Sequence, residues 1–147
     1  MLLTRIKMRK ILILITIISA INISGQSNKQ IAASYIKRAN EAIEKSIDYT
    51  TALINFNKAI KYMDGITDAK VASLGARAYF EIHHKQRTLK RQIQFLEKSN
   101  LYSQQYFKLA KNKNSNNYAN NLEIYSLSKN ALKKLKYKAR RLTMRKF

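Results

Sequence analysis

The only histidines in the chain, His83 and His84, are adjacent. Neighbouring side chains on a helix diverge by about 100°, so this pair cannot close on one metal ion as an i, i+4 pair would. Cysteine is absent, and Glu81 is the only nearby acid. Acid–base chemistry needs titratable groups held against one another. The closest acidic pair, Glu41 and Glu44, is flanked by Arg38 and Lys45. That spacing favours surface ion pairs of small value. There is no Ser–His–Asp order, no Gly-rich phosphate loop and no P-loop. The residues argue against an enzyme and imply no metal and no cofactor.

Charge is the stronger chemical signal. Residues 26–82 carry eight Lys/Arg and six Asp/Glu, whereas residues 83–147 carry seventeen Lys/Arg and only Glu97 and Glu123. From Lys129 to Phe147 there are nine Lys/Arg and no acid. Lys133, Lys134, Lys136, Lys138, Arg140 and Arg141 surround an apolar stripe of Leu132, Leu135, Ala139 and Leu142. Such a helix suits an anionic surface, either lipid or another part of the cell envelope. Nucleic acid fits less well, because Tyr137 and Phe147 are too few for a stacking platform.

The elements that must position these residues read as helices. The chain of 147 residues has no proline, no tryptophan and three glycines, which suits long helices joined by short polar turns. The fold class expected is all-α. Residues 1–25 resemble a bacterial secretory signal. Arg5, Lys7, Arg9 and Lys10 precede an apolar run from Ile11 to Ser24, and small residues precede Gln26. The run is shorter than the roughly 18 to 20 residues a spanning helix needs. The expectation is an exported chain, periplasmic or secreted, with an inner-membrane anchor as the alternative if the signal is not cleaved. No cysteine follows the run for lipid attachment.

Ile31, Tyr35, Ala39 and Ile43 recur every four residues, and Ile36, Ala42 and Ile47 widen the stripe. A turn is expected at Ser46 to Asp48, with Asp48 capping the next helix. Ala52, Phe56 and Ala59, spaced by four and then three, share one face of that helix, small, large, small. Asp64–Gly65 is its expected stop. Asp68 is a candidate cap for a third helix along Val71, Leu74, Gly75, Ala78 and Ile82. The polar stretch His83–Thr88 interrupts the pattern. Leu89, Ile93 and Leu96 begin a fourth helix, expected to end near Asn100. Tyr102, Tyr106 and Leu109 mark a weak further element over 101–111. An Asn-rich loop at 112–117 precedes a final stripe of Tyr118, Leu122, Tyr125, Ser128, Leu132, Leu135, Ala139 and Leu142, about 37 Å long at 1.5 Å per residue.

The stretch Asp48 to Asp64 resembles the second helix of a tetratricopeptide repeat (TPR), in Asp48–Tyr49, Ala52, Phe56, Ala59 and Asp64. The resemblance is good over 31–65, fair over 68–99 and poor beyond. Phe56–Asn57–Lys58–Ala59 aligns with Leu96–Glu97–Lys98–Ser99, 40 residues on, against a usual repeat period of about 34. Asn40 departs from the family's small residue, which Gly75 supplies in the second unit. The resemblance implies two to three stacked antiparallel hairpins over 26–117 and a basic capping helix over 118–147. It also implies a non-enzymatic protein–protein interaction module. A concave groove would then be lined by Lys37, Glu41, Glu44, Ala72, Tyr79 and Phe80. Glu41 stands where a carboxylate clamp would use Asn, one turn after Lys37. Two alternatives are a membrane-surface protein working through its basic helix and the truncated sensing half of a TPR-containing regulator.

Overall fold

The computed structural model describes residues 27–144. The proposed leader at 1–25 therefore lies outside the described residues, as do 145–147. Among the described residues the fold is all-α, with five helices packed against one another. Helix α1 covers 27–46. It is followed by α2 (Tyr49–Ile60), α3 (Ala69–Ile82), α4 (Leu89–Leu109) and α5 (Asn116–Met144). A short 3-10 turn, His83–Lys85, links α3 to α4.

The helix starts follow local chemistry. The Asp48 carboxylate accepts from the backbone N–H of Thr50 and Thr51, both at 3.0 Å. Asp68 accepts from Lys70 N–H at 2.8 Å, and Thr88 from Arg91 N–H at 3.2 Å. Each satisfies backbone donors that a helix leaves without partners at its first turn. The end of α1 is less ordinary. Ile47 N–H returns to Ile43 O and Asp48 N–H to Ala42 O, which puts Ile47 in the left-handed region at φ 52°. Helix α2 stops at Ile60, before Asp64–Gly65, with Lys61 N–H still bonded to Lys58 O.

Helix α3 is the centre of the packing. It lies against α2, α4 and α5, while α5 also runs along α4. The register shows that α4 and α5 are antiparallel. Tyr118 near the start of α5 meets Phe107 near the end of α4, and Ser128 Oγ donates to Leu96 O further along. Farther still, Lys136 reaches back to Glu97. The core contains Ala39, Ala52, Leu53, Phe56, Ile66, Val71, Ala72, Leu74, Ala78, Tyr79, Ile82 and Tyr106. At its middle Tyr102 stacks on Tyr79 at 5.7 Å and meets the edge of Phe56 at 5.1 Å.

One boundary differs from the sequence reading. Residues 101–109 are not a separate element but the second half of α4. Leu96, Ser99, Ser103 and Tyr106, its four buried residues, step by three, four and three along one face. Two of the four are serines, so the buried stripe loses its apolar signature midway. The architecture is two hairpins, α1/α2 and α3/α4, closed by α5. Phe56, Ala59, Leu96 and Ser99 are all fully buried.

Candidate functional site

A groove of about 1040 Å³ opens between α1 and the α2–α3 connection. Its apolar lining comes from Ala32 and Ile36 on α1, Met63 on the connection and Val71 on α3. Lys37, Glu41 and Glu44 line it along α1, where steps of four and three put them on one stripe. Asp64 and Asp68 face them from the connection. Four of the chain's eight acids therefore meet at this one feature of a chain whose formal net charge is +21. Lys29, Lys37 and Lys61 also line it, so it is mixed in charge with a slight excess of carboxylates.

Asp68 caps α3, but the other three carboxylates are weakly committed. Glu41 has Lys37 and Lys45 both at 3.9 Å, long contacts on exposed side chains that contribute little. Among the described residues Glu44 and Asp64 have no ion-pair partner within 4.0 Å. Beside them Tyr62 stacks on Tyr35 at 6.2 Å, with Arg38 and Lys58 each 5.7 Å from the Tyr35 ring.

The structure divides the six groove residues expected from sequence. Lys37, Glu41 and Glu44 come together as described. Ala72 and Tyr79 do not line the groove, because they are buried in the core, 0 and 2 % exposed. Helix α3 is flanked by α2, α4 and α5, and these two positions, seven apart, face into that packing. Phe80 is half-buried and stacks on His83 at 5.4 Å, away from the groove lining. The Tyr79 hydroxyl instead donates to Asn57 Oδ1 at 2.7 Å and accepts from Lys98 Nζ at 3.2 Å, tying α2, α3 and α4 together. Sequence reasoning missed the far wall of the groove, from Lys61 to Asp68. That segment is irregular and carries no helical period. Its legible features were the turn signal Asp64–Gly65 and the helix cap Asp68.

Lys133, Lys134, Lys136, Lys138, Arg140 and Arg141 of the last helix are all exposed. Lys136 is partly neutralised by Glu97, 2.8 Å away. Ala139 and Leu142 meet Leu89, Ile93 and the stem of Lys90 around a shallow apolar cleft. His83 and His84 sit edge to face in the α3–α4 link, and the His83 ring contacts Phe80 O. Among the described residues no three His, Cys, Asp or Glu side chains gather closely enough to hold a metal ion, and no helix is long and apolar enough to cross a membrane. Compared with family models, with curated proteins and with solved structures, the chain finds no match.

Proposed function

We propose that this chain is an exported, TPR-like interaction module whose α1 groove holds a segment of another protein. The observation that carries the reading is the groove itself. It has an apolar floor and mixed, loosely paired charges along both walls, the arrangement that lets one partner surface bury side chains while its rim reads charge. Glu44 and Asp64, on opposite walls, are placed to meet cationic side chains of the bound segment. The two-hairpin stack supports the reading too, since such folds present preformed surfaces and seldom do chemistry. Lys37, Glu41 and Glu44 of α1 lie along this groove.

Affinity capture from envelope extracts tests this, using the chain from Gln26 onward beside a Glu44→Lys/Asp64→Lys variant. Both positions are exposed, so the variant leaves the core intact. A partner enriched by the wild type and lost by the variant is the expected result. Identical captured sets from both would overturn the reading.

A further inference from the structure

The outward face of α5 holds a constellation that the groove reading does not use. Tyr137 is 63 % exposed. Lys133 and Lys134 lie one turn before it, and Arg140 and Arg141 one turn after, at i−4, i−3, i+3 and i+4. All four are exposed on the side of α5 opposite Ser128 and Ala139, which face α4. The Arg141 guanidinium lies 5.8 Å from the centre of the Tyr137 ring. Met144, 70 % exposed, continues the stripe two turns beyond Tyr137. No acid occurs between Lys129 and Met144, and the nearby Glu97 is already engaged by Lys136.

We infer that this face is a docking surface for an anionic lipid bilayer, with Tyr137 seated among the headgroups and Lys133, Lys134, Arg140 and Arg141 on lipid phosphates. Charge complementarity chooses the class of occupant. Four cations project from one face, and among the described residues none of them has an ion-pair partner within 4.0 Å. The apolar side chains choose lipid over a nucleic acid strand. A single strand binds along a row of aromatic platforms, and this face has one. A tyrosine suits the bilayer interface, its ring in the apolar boundary and its hydroxyl in water. Met144 gains nothing from phosphates but does gain from acyl chains. The four long basic side chains keep their charged ends at headgroup level while their stems lie along the helix. This proposal goes beyond the groove reading and does not depend on it.

The absence of tryptophan makes the test direct, because Tyr137→Trp introduces the only indole in the chain. The chain from Gln26 onward contains all of the described fold. It is mixed with vesicles of phosphatidylcholine alone, or of phosphatidylcholine with phosphatidylglycerol. The indole emission should shift to the blue, and the protein should sediment, only with the anionic vesicles. High salt should reverse both effects. Removing cations should weaken binding about fivefold each, so that Lys133→Gln/Lys134→Gln/Arg140→Gln/Arg141→Gln loses more than about a hundredfold. Its helix content, read by circular dichroism, should stay unchanged. A control with the same charge loss elsewhere, Lys70→Gln/Lys108→Gln/Lys111→Gln/Lys113→Gln, should retain most of the binding. Equal binding to neutral vesicles would overturn the proposal. So would an equal loss in the control, or a single-stranded oligonucleotide that binds this face more tightly than anionic vesicles at the same salt.

Discussion

The ring of Phe56 on α2 rests directly on the backbone of Gly75 on α3. A Cβ at Gly75 would sit 2.4 Å from Phe56 Cζ and 2.9 Å from Cε2, far inside van der Waals contact. Phe56 is fully buried, with Tyr79 and Tyr102 presenting to it edge-on. The ring has no room to retreat. Glycine costs helix stability at this mid-helix position, and the seating of Phe56 offsets that cost.

Gly75→Ala is therefore expected to destabilise the fold by about 1 to 3 kcal/mol, despite the gain of about 1 kcal/mol in helix propensity. Phe56→Leu alone should also destabilise. Combining the two should cost less than the sum, because the smaller side chain admits the new methyl group. Chemical denaturation of the two single variants and the double variant gives the coupling. Strict additivity would show that the two residues do not press on one another.

Ile47 is a β-branched residue at φ 52° and is 73 % exposed, so its side chain gains almost no burial to offset its backbone strain. Ile47→Asn should stabilise the protein by about 1 kcal/mol, since asparagine tolerates the left-handed region. Thermal melts would read this as a rise in Tm. A fall would mean that the isoleucine makes a compensating contact.

Ser99 faces α3 and donates to Ala76 O at 2.9 Å. Like Ala59 of the first hairpin, it is fully buried. Size should matter there more than polarity. Ser99→Ala is expected to change stability by no more than about 1 kcal/mol, because it leaves no buried donor without a partner. Ser99→Leu should cost about 1 to 3 kcal/mol or more by forcing α3 and α4 apart. Denaturant midpoints compare the two. A large loss for alanine would make the hydrogen bond, not the close approach, the reason for serine.

The Asp48 carboxyl is held below its usual range. The bonds from Thr51 lower it most, the Thr50 N–H adds to this, and Lys85 contributes at longer range. A lowered folded-state pKa means the cap's contribution is fully present above the unfolded value near 3.9 and is lost as pH falls through the folded one. Asp48→Asn keeps an acceptor but removes the charge, so the variant should lose less stability than the wild type between pH 5 and pH 2. Equal acid sensitivity of the two would remove Asp48 from the account. At the alkaline end, burial and then the neighbouring Tyr79 raise the Tyr102 phenol. Stability held by the neutral phenol is present below about pH 10 and declines above it.

How much of this was legible depended on whether a residue's role had a period. Ala52, Phe56 and Ala59 declared α2 by spacing, and Asp48 and Asp68 declared helix starts by side-chain chemistry. The continuity of α4 was hidden because Ser99 and Ser103 are buried where a hydropathy stripe needs apolar residues. Close helix crossings select for small side chains, and serine is small before it is polar. Tyr79 was misplaced for a related reason. Spacing put it on the correct helix, but only the presence of α2, α4 and α5 around α3 decides that its face is interior. The groove was half legible. The α1 wall is helical and periodic, and the wall from Lys61 to Asp68 is a loop whose shape follows from the hairpins it joins.

The separation of charge along the stack has a consequence for motion as well as for binding. Four acids offset the lysines around the α1 groove, whereas the exposed face of α5 carries cations with no acid among them, so charge is spread unevenly and the molecule is an electric dipole. Near any negatively charged surface it experiences a torque before it makes contact. That torque turns α5 inward and leaves α1 facing the solution. An encounter oriented in this way presents the groove to whatever diffuses past.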